Sequence, residues 1–184
     1  FLLPLLMNFI NSFTNYDLSQ TKDFIGIQNY VKLFKDKDFI RAFINTAVYA
    51  VFSVFPLAVL GLTAAIAVNR RSAIIKAATT LFIFPYVTSM VAVSMIWLLL
   101  YEPTNGIFNK LLATIGFGPL KWLFDEHLAL PALIAMNIWK NVGYVMIIYL
   151  GGLQSIPVHL YESATMDGAS DFNKLTAITL PMLS

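Results

Sequence analysis

Three long stretches of the chain are nearly free of charge. Residues 43–68 and 77–101 contain no charged side chain, and 129–151 contains one, Lys140. Each exceeds the roughly 20 residues that a helix needs to cross a bilayer core. Spanning strands would instead alternate apolar and polar positions in segments of about ten. That alternation is missing, so the pattern predicts membrane-crossing helices. Pro56 and Pro85 lie inside two of these stretches and predict kinks, because proline removes a helical hydrogen bond that neighbouring groups must replace.

The connections differ in character. Residues 14–42 carry mixed charge, and their VKLFKDKDFI portion is expected to lie at the membrane surface. Residues 69–76, NRRSAIIK, form a short basic turn. Residues 102–128 contain Gly106, Gly116, Gly118 and Pro119, which predicts a loop with a short helix over 107–114. The opening run FLLPLLMNFINSF, residues 1–13, is too short to span. It has no basic residue before it and no small-residue cleavage site after it, so a signal peptide is a poor reading. It is expected to be the end of a truncated first helix, and LPMLS the approach to a further apolar run, so the fold is expected to be a fragment.

Composition agrees with a membrane chain. Apolar residues make up 58% and charged residues 12%, about half the charged share of ordinary soluble domains. A net charge of +2 with scattered basic residues gives no reason to expect nucleic acid. The absence of cysteine excludes a disulfide framework, a thiol nucleophile and a zinc–thiolate site. The fold class expected is all-α, a polytopic transmembrane helical bundle.

Candidate chemistry is sparse. His127 and His159 have no partner at ligand spacing, and no Walker-type loop, GxSxG or HExxH occurs. Glu162, Asp167 and Asp171 fit no calcium loop and read as solvated helix surface. No catalytic residue, metal or cofactor is assigned. Within 129–151, Asn137, Lys140, Asn141 and Tyr144 fall at i, i+3, i+4, i+7 and share one helical face. Asn45, Tyr49, Ser53 and Pro56 follow one side of 43–68. Both a solute pathway and hydrogen bonding between helices explain the Asn, Ser and Tyr positions. A lysine at mid-span costs about 2.5–3.5 kcal/mol on insertion scales, and for Lys140 the pathway is the preferred reading. Trp97, Trp139 and Tyr101 read as bundle packing or interfacial anchors.

The segment YESATMDGASDFNKLTAITLP, residues 161–181, is polar and follows directly on a span. Pro157 can open a helix at its first turn, with Ser155 or Ile156 near the cap. Residues 158–166 form that helix, Asp167-Gly168 breaks it, and Ser170 caps a second helix over 169–178. Leu180-Pro181 marks a further bend. The expected product is a rigid polar bracket at a membrane surface, suited to docking on a partner.

The pattern Glu-x-Ala-x-x-Asp-Gly-Ala followed by Ile-x-Leu-Pro resembles the EAA loop of permease subunits of binding-protein-dependent ABC importers. Glu162, Ala164, Asp167, Gly168, Ala169, Ile178, Leu180 and Pro181 match in register, while Ser163 and Leu175 depart from the usual Ala and Phe. FIGIQNYVKLF, Asp38-Phe39, Asn45-Thr46, Pro85 with Trp97, Gly106-Ile107-x-Asn109, Ile138-Trp139-Lys140 and LGGLQSIP are similar to sugar permeases of the lactose, maltose and glycerol-3-phosphate type. Asn45-Thr46 resembles the first of the two permeases such systems pair.

The resemblance implies a MetI-like permease fold in a bacterial or archaeal inner membrane. It implies three kinds of protein partner: an ATP-binding ABC subunit dimer, a second and related permease, and an extracytoplasmic solute-binding protein. It also implies ATPase coupling through Glu162, Ala164, Asp167, Gly168 and Ala169, a carbohydrate or related solute, and ATP hydrolysis on another chain. A permease for polyamine, phosphate or amino acid, and a membrane scaffold that does not transport, are the alternatives. Charge alone leaves the orientation open. Lys and Arg number seven across 14–42 and 102–128, against four across 69–76 and 152–184, yet the short basic turn is denser and free of acids. The resemblance puts the EAA loop in the cytoplasm and 14–42 outside.

Overall fold

The structure is a computed structural model that describes residues 2–16, 23–69 and 73–183, without the side chains of 73–78. The basic turn carrying Arg70 and Arg71 lies outside the described residues. The helices are α1 (Leu2–Asn11), α2 (Gln28–Lys35), α3 (Lys37–Val68), α4 (Ala73–Val87), α5 (Met90–Leu100), α6 (Ile107–Thr114), α7 (Ala129–Ser155), α8 (Val158–Met166), α9 (Asp171–Lys174) and α10 (Leu180–Leu183). A π-helical turn, Leu175–Thr179, joins α9 to α10. Contacts divide the chain into two compact units, Phe1–Val48 and Tyr49–Ser184.

In the first unit, residues 13–15 pair with 23–25 around an isolated bridge between Thr14 and Phe24. The Asn29 amide donates to the carbonyls of Ser12 at 2.9 Å and Thr14 at 3.0 Å, and the Tyr30 and Ser12 hydroxyls lie 2.7 Å apart. These bonds clamp the turn against α2. Asp36 then starts α3: its carboxylate accepts from the backbone N–H groups of Asp38 at 2.9 Å and Phe39 at 3.4 Å, filling donors that a helix start leaves free.

In the second unit α7 is the central helix, and small residues set its contacts. A Cβ on Gly61 of α3 would lie 2.5 Å from Val145 of α7, and one on Gly152 would lie 2.5 Å from Leu183 of α10. Without a hydrophobic drive between apolar helices, close approach at small residues supplies the packing. Ala65, Met146, Leu153 and Ile156 form the buried cluster, with Leu160, Tyr161, Ile178 and Leu183 packed against it.

The helices α3 and α7 are long and apolar enough to cross a membrane. The apolar run 77–101 differs from one continuous span. It forms α4 and α5, and between 79–87 and 90–100 the axis bends by 104°. Pro85 lies in the last turn of α4, and Thr88 and Ser89 separate the helices. In α3, by contrast, Pro56 is accommodated inside one helix.

The loop after α5 is organised by Asn109, only 5% exposed. Its amide donates to the carbonyls of Pro103 at 2.8 Å and Leu120 at 2.9 Å. Its oxygen accepts from Leu120 N–H at 3.1 Å and Trp122 Nε1 at 3.0 Å. All the hydrogen-bonding groups of the side chain are therefore used. At the start of the same loop, backbone N–H groups of Asn105 and Thr104 hold the Glu102 carboxyl below its usual range. A Cβ on Gly106 would come 2.2 Å from the Glu102 carbonyl oxygen, so only glycine fits that turn. Asn109→Leu is expected to leave four backbone or indole groups without partners and to cost about 4 kcal/mol, at about 1 kcal/mol for each part-buried group. Asn109→Asp is expected to cost no less, because an ionised oxygen would replace the buried amide nitrogen beside the Pro103 and Leu120 carbonyls. Thermal unfolding and protease cleavage within 103–122 measure both.

Candidate functional site

Two places carry the polar groups singled out in the sequence. The first is the bracket after α7. α7 runs through Ser155, and Pro157 is the N-cap of α8 rather than a residue of its first turn. α8 ends as proposed from Asp167-Gly168, and its closure explains the motif. Gly168 has φ +75°, a conformation that glycine adopts without penalty. Gly168 N–H donates to Thr165 O at 3.1 Å, and Ala169 N–H donates to Ala164 O at 2.9 Å. These are the two bonds of a Schellman closure, which usually brings the residues at the positions of Ala164 and Ala169 together. Ala164 and Ala169 are both half-buried. A Cβ on Gly168 would meet nothing within 4 Å, so glycine is required there for its backbone angle and not for space.

Ser170 caps the next helix, accepting from Asn173 N–H at 3.2 Å. That helix starts at Asp171 instead of 169 and stays helical through Leu180-Pro181. It widens into the π turn Leu175–Thr179 and continues through α10. Pro181 lacks an N–H, and its ring crowds the preceding carbonyl of an ordinary α turn. A widened turn just before it meets that constraint.

The faces of α8 are sharply different. Leu160 and Tyr161 pack on the buried cluster, and the Tyr161 hydroxyl lies 2.9 Å from Thr179 Oγ1. Thr179 is 5% exposed. Val158, Glu162 and Met166, spaced at i, i+4, i+8, share the other side. Glu162 and Asp167 are exposed, and Met166 is 88% exposed. The Tyr161–Thr179 tie was not visible in the sequence, where the two residues are 18 positions apart and follow no common period.

The second place is the α4–α5 break, where the stripe on α7 arrives. Lys140 Nζ donates to the carbonyls of Pro85 at 3.1 Å, Tyr86 at 3.2 Å and Thr88 at 2.9 Å. The Thr88 hydroxyl donates to Phe84 O at 2.8 Å. A helix end leaves its last four carbonyls without partners and partly negative. A lysine ammonium with three donors matches this end in number and in charge. Tyr144, one turn on, stacks on Tyr86 with ring centroids 4.7 Å apart. Asn141 Nδ2 donates to Asn137 O at 2.9 Å and Asn137 Oδ1 at 2.8 Å. Lys140 and Tyr144 are thus brought to the end of α4, with Lys140 bonding between helices, while Asn137 and Asn141 bond to each other within α7. A Cβ on Gly143, on the same side, would come 1.9 Å from the Phe82 carbonyl oxygen.

Ser53, from the stripe on α3, is 2% exposed, and its hydroxyl has no hydrogen-bond partner among the described residues. The aromatic residues read as packing do pack. Trp97 lies 5.2 Å from Tyr101, 5.5 Å from Trp139 and 5.8 Å from Phe108 between ring centroids. The Tyr101 hydroxyl donates to Ala132 O at 2.9 Å. Among the described residues, no group of three or more His, Asp or Glu could hold a metal ion.

Similar proteins occur at the level of sequence and of fold. The chain is 36% identical to a probable ABC transporter permease protein, YurN, of Bacillus subtilis, over 97% of its own length and 63% of the relative's. It is 35% identical to the xylose/arabinose import permease protein XacH of Haloferax volcanii, over 96% of its length and 56% of the relative's. A solved bacterial ABC transporter involved in import of the acidic polysaccharide alginate superimposes with a TM-score of 0.81 at 30% identity, over 100% of this chain and 62% of that one. The chain therefore spans roughly three fifths of the length of these proteins. Residues 57–184, well over half of the chain, match one family, and the chain belongs to it: the binding-protein-dependent transport system inner membrane component.

Proposed function

We propose that this chain is part of the membrane-spanning subunit of an ABC importer, forming a translocation pathway for a carbohydrate or related solute. ATP hydrolysis takes place on a separate ATPase subunit. The observation that carries the proposal is the bracket. α8 is anchored by Leu160 and Tyr161 and closed by Gly168, and it presents Glu162 and Met166 outward. A short helix fixed on one face and exposed on the other can transmit the motion of a docked partner to α7 and α10.

In this arrangement 43–68 and 129–151 cross the membrane as single helices and 77–101 crosses as a span broken at Thr88-Ser89, 14–42 faces outward and 152–181 faces the cytoplasm. Glu162 supplies the charged contact to the ATPase. Ala164, Asp167, Gly168 and Ala169 set the shape of the docking helix. A solute-binding protein delivers the solute, in keeping with the family's description, and a related second permease completes the pathway. The carbohydrate assignment is supported by the xylose/arabinose and alginate importers among the relatives.

The test is purification of the full-length protein in detergent, wild type against Glu162→Lys. The expected result is an ATPase subunit that co-purifies with wild type and is lost from the variant. If no ATPase accompanies the wild-type protein, the proposal fails.

A further inference from the structure

The elbow between α2 and α3 holds a groove of about 400 Å³ lined by Phe34, Lys35, Lys37, Ile40, Arg41, Ile44 and Asn45. We infer that this groove binds the headgroup and upper acyl chain of an anionic phospholipid. The inference rests on α3 crossing the membrane.

Three features of the elbow lead there. First, its cations are available. Lys35, Lys37 and Arg41 are exposed, and among the described residues the ion pair is Asp171–Lys174, which includes none of them. Two carboxylates, Asp36 and Asp38, flank Lys37 in sequence; Asp36 is engaged by the backbone N–H groups that start α3, and among the described residues neither forms an ion pair with these cations. Second, the groove is amphipathic. On α3, Lys37, Arg41 and Asn45 follow one another at i+4, and Ile40 and Ile44 form the adjacent row. Phe34 is 68% and Ile44 53% exposed, which leaves apolar surface open beside the charges. Third, the depth is right. Arg41 is the last charge before the uncharged run 42–68, which at 1.5 Å per residue is about 40 Å long, enough for a core of about 30 Å. Arg41 then lies at headgroup level, and Ile44 lies one turn deeper, among the acyl chains. Free phosphate would use the cations but not the apolar row, so the lipid is the occupant that fits the whole groove.

The probe is native mass spectrometry of the full-length protein in neutral detergent, titrated separately with phosphatidylglycerol and phosphatidylcholine. Each basic residue near a membrane surface is worth roughly five-fold in affinity for an anionic headgroup. Wild type is expected to prefer phosphatidylglycerol by roughly ten-fold or more. The triple variant Lys35→Gln, Lys37→Gln, Arg41→Gln is expected to lose that preference. Lys110→Gln with Lys121→Gln, which changes charge elsewhere, is expected to keep it, and Ile44→Asn is expected to weaken both lipids alike. An unchanged preference in the triple variant overturns the inference. Complete displacement of the lipid by millimolar inorganic phosphate also overturns it, because the groove would then be a site for the ion alone. The bracket and its ATPase play no part in this measurement, so its outcome is separate from the co-purification test.

Discussion

Gly143→Ala is expected to be the most damaging single-methyl change in the second unit. The added Cβ would lie 1.9 Å from Phe82 O and 2.5 Å from Phe82 C. Both are backbone atoms of α4, so no side chain can rotate away, and the helices must separate instead. Overpacking of this kind costs about 1–3 kcal/mol when the surroundings can shift, and here a backbone carbonyl has to shift. Separation would also stretch the Lys140 bonds, which reach the same helix one turn away. The expected loss is about 3 kcal/mol or more, read as a lower unfolding midpoint in detergent. Gly151, where an added Cβ would meet nothing within 4 Å, supplies the control: Gly151→Ala is expected to be neutral or slightly stabilising. Equal midpoints for the two variants would refute the close α4–α7 contact.

Lys140→Met is expected to destabilise the protein before it alters any solute preference. It keeps much of the apolar stem but removes the partner of three carbonyls. The bonds to Pro85 and Thr88 are part-buried, while that to Tyr86 is exposed. At about 1–3 kcal/mol for each part-buried group left unpaired, the expected loss is about 3 kcal/mol. The measurement pairs thermal unfolding with transport. A structural Lys140 lowers the midpoint and the transport rate together, whatever the solute. A Lys140 that contacts solute lowers transport while the midpoint stays at the wild-type value, and that result would support its place in the pathway. Combined with Gly143→Ala, the two losses are expected to add to less than their sum, since both act on one joint between α4 and α7.

Much of the bracket was legible in advance because its signals are local. Pro157, Asp167-Gly168 and Ser170 each act on backbone within a few residues, and α8 falls over the expected 158–166. The short helix α6 likewise fell where Gly106 and Gly116 frame it. The course after Ser170 was less legible. Pro181 announced a disturbance, but proline permits both a bend and a π turn, and the choice goes with packing. Thr179 is buried against Tyr161 in the arrangement that forms. The break at Thr88-Ser89 escaped for a related reason. Hydropathy runs unbroken across 77–101, and apolarity reports that a segment is lipid-compatible, not that it is straight.

By itself the sequence determined that this is a helical membrane chain, where its apolar runs lie, and that a Gly-closed bracket follows the last of them. Those features depend on composition and on backbone preferences within one turn. Only the tertiary structure decided what the polar face of α7 meets. Periodicity put Asn137, Lys140, Asn141 and Tyr144 on one side, but it is blind to what lies opposite. The end of a broken helix lies there, and Lys140 pairs carbonyls at that end; a neighbouring glycine lets α4 approach closely enough for the lysine to reach them. That reach depends on residues more than 50 positions apart in the chain, a separation at which no local preference acts.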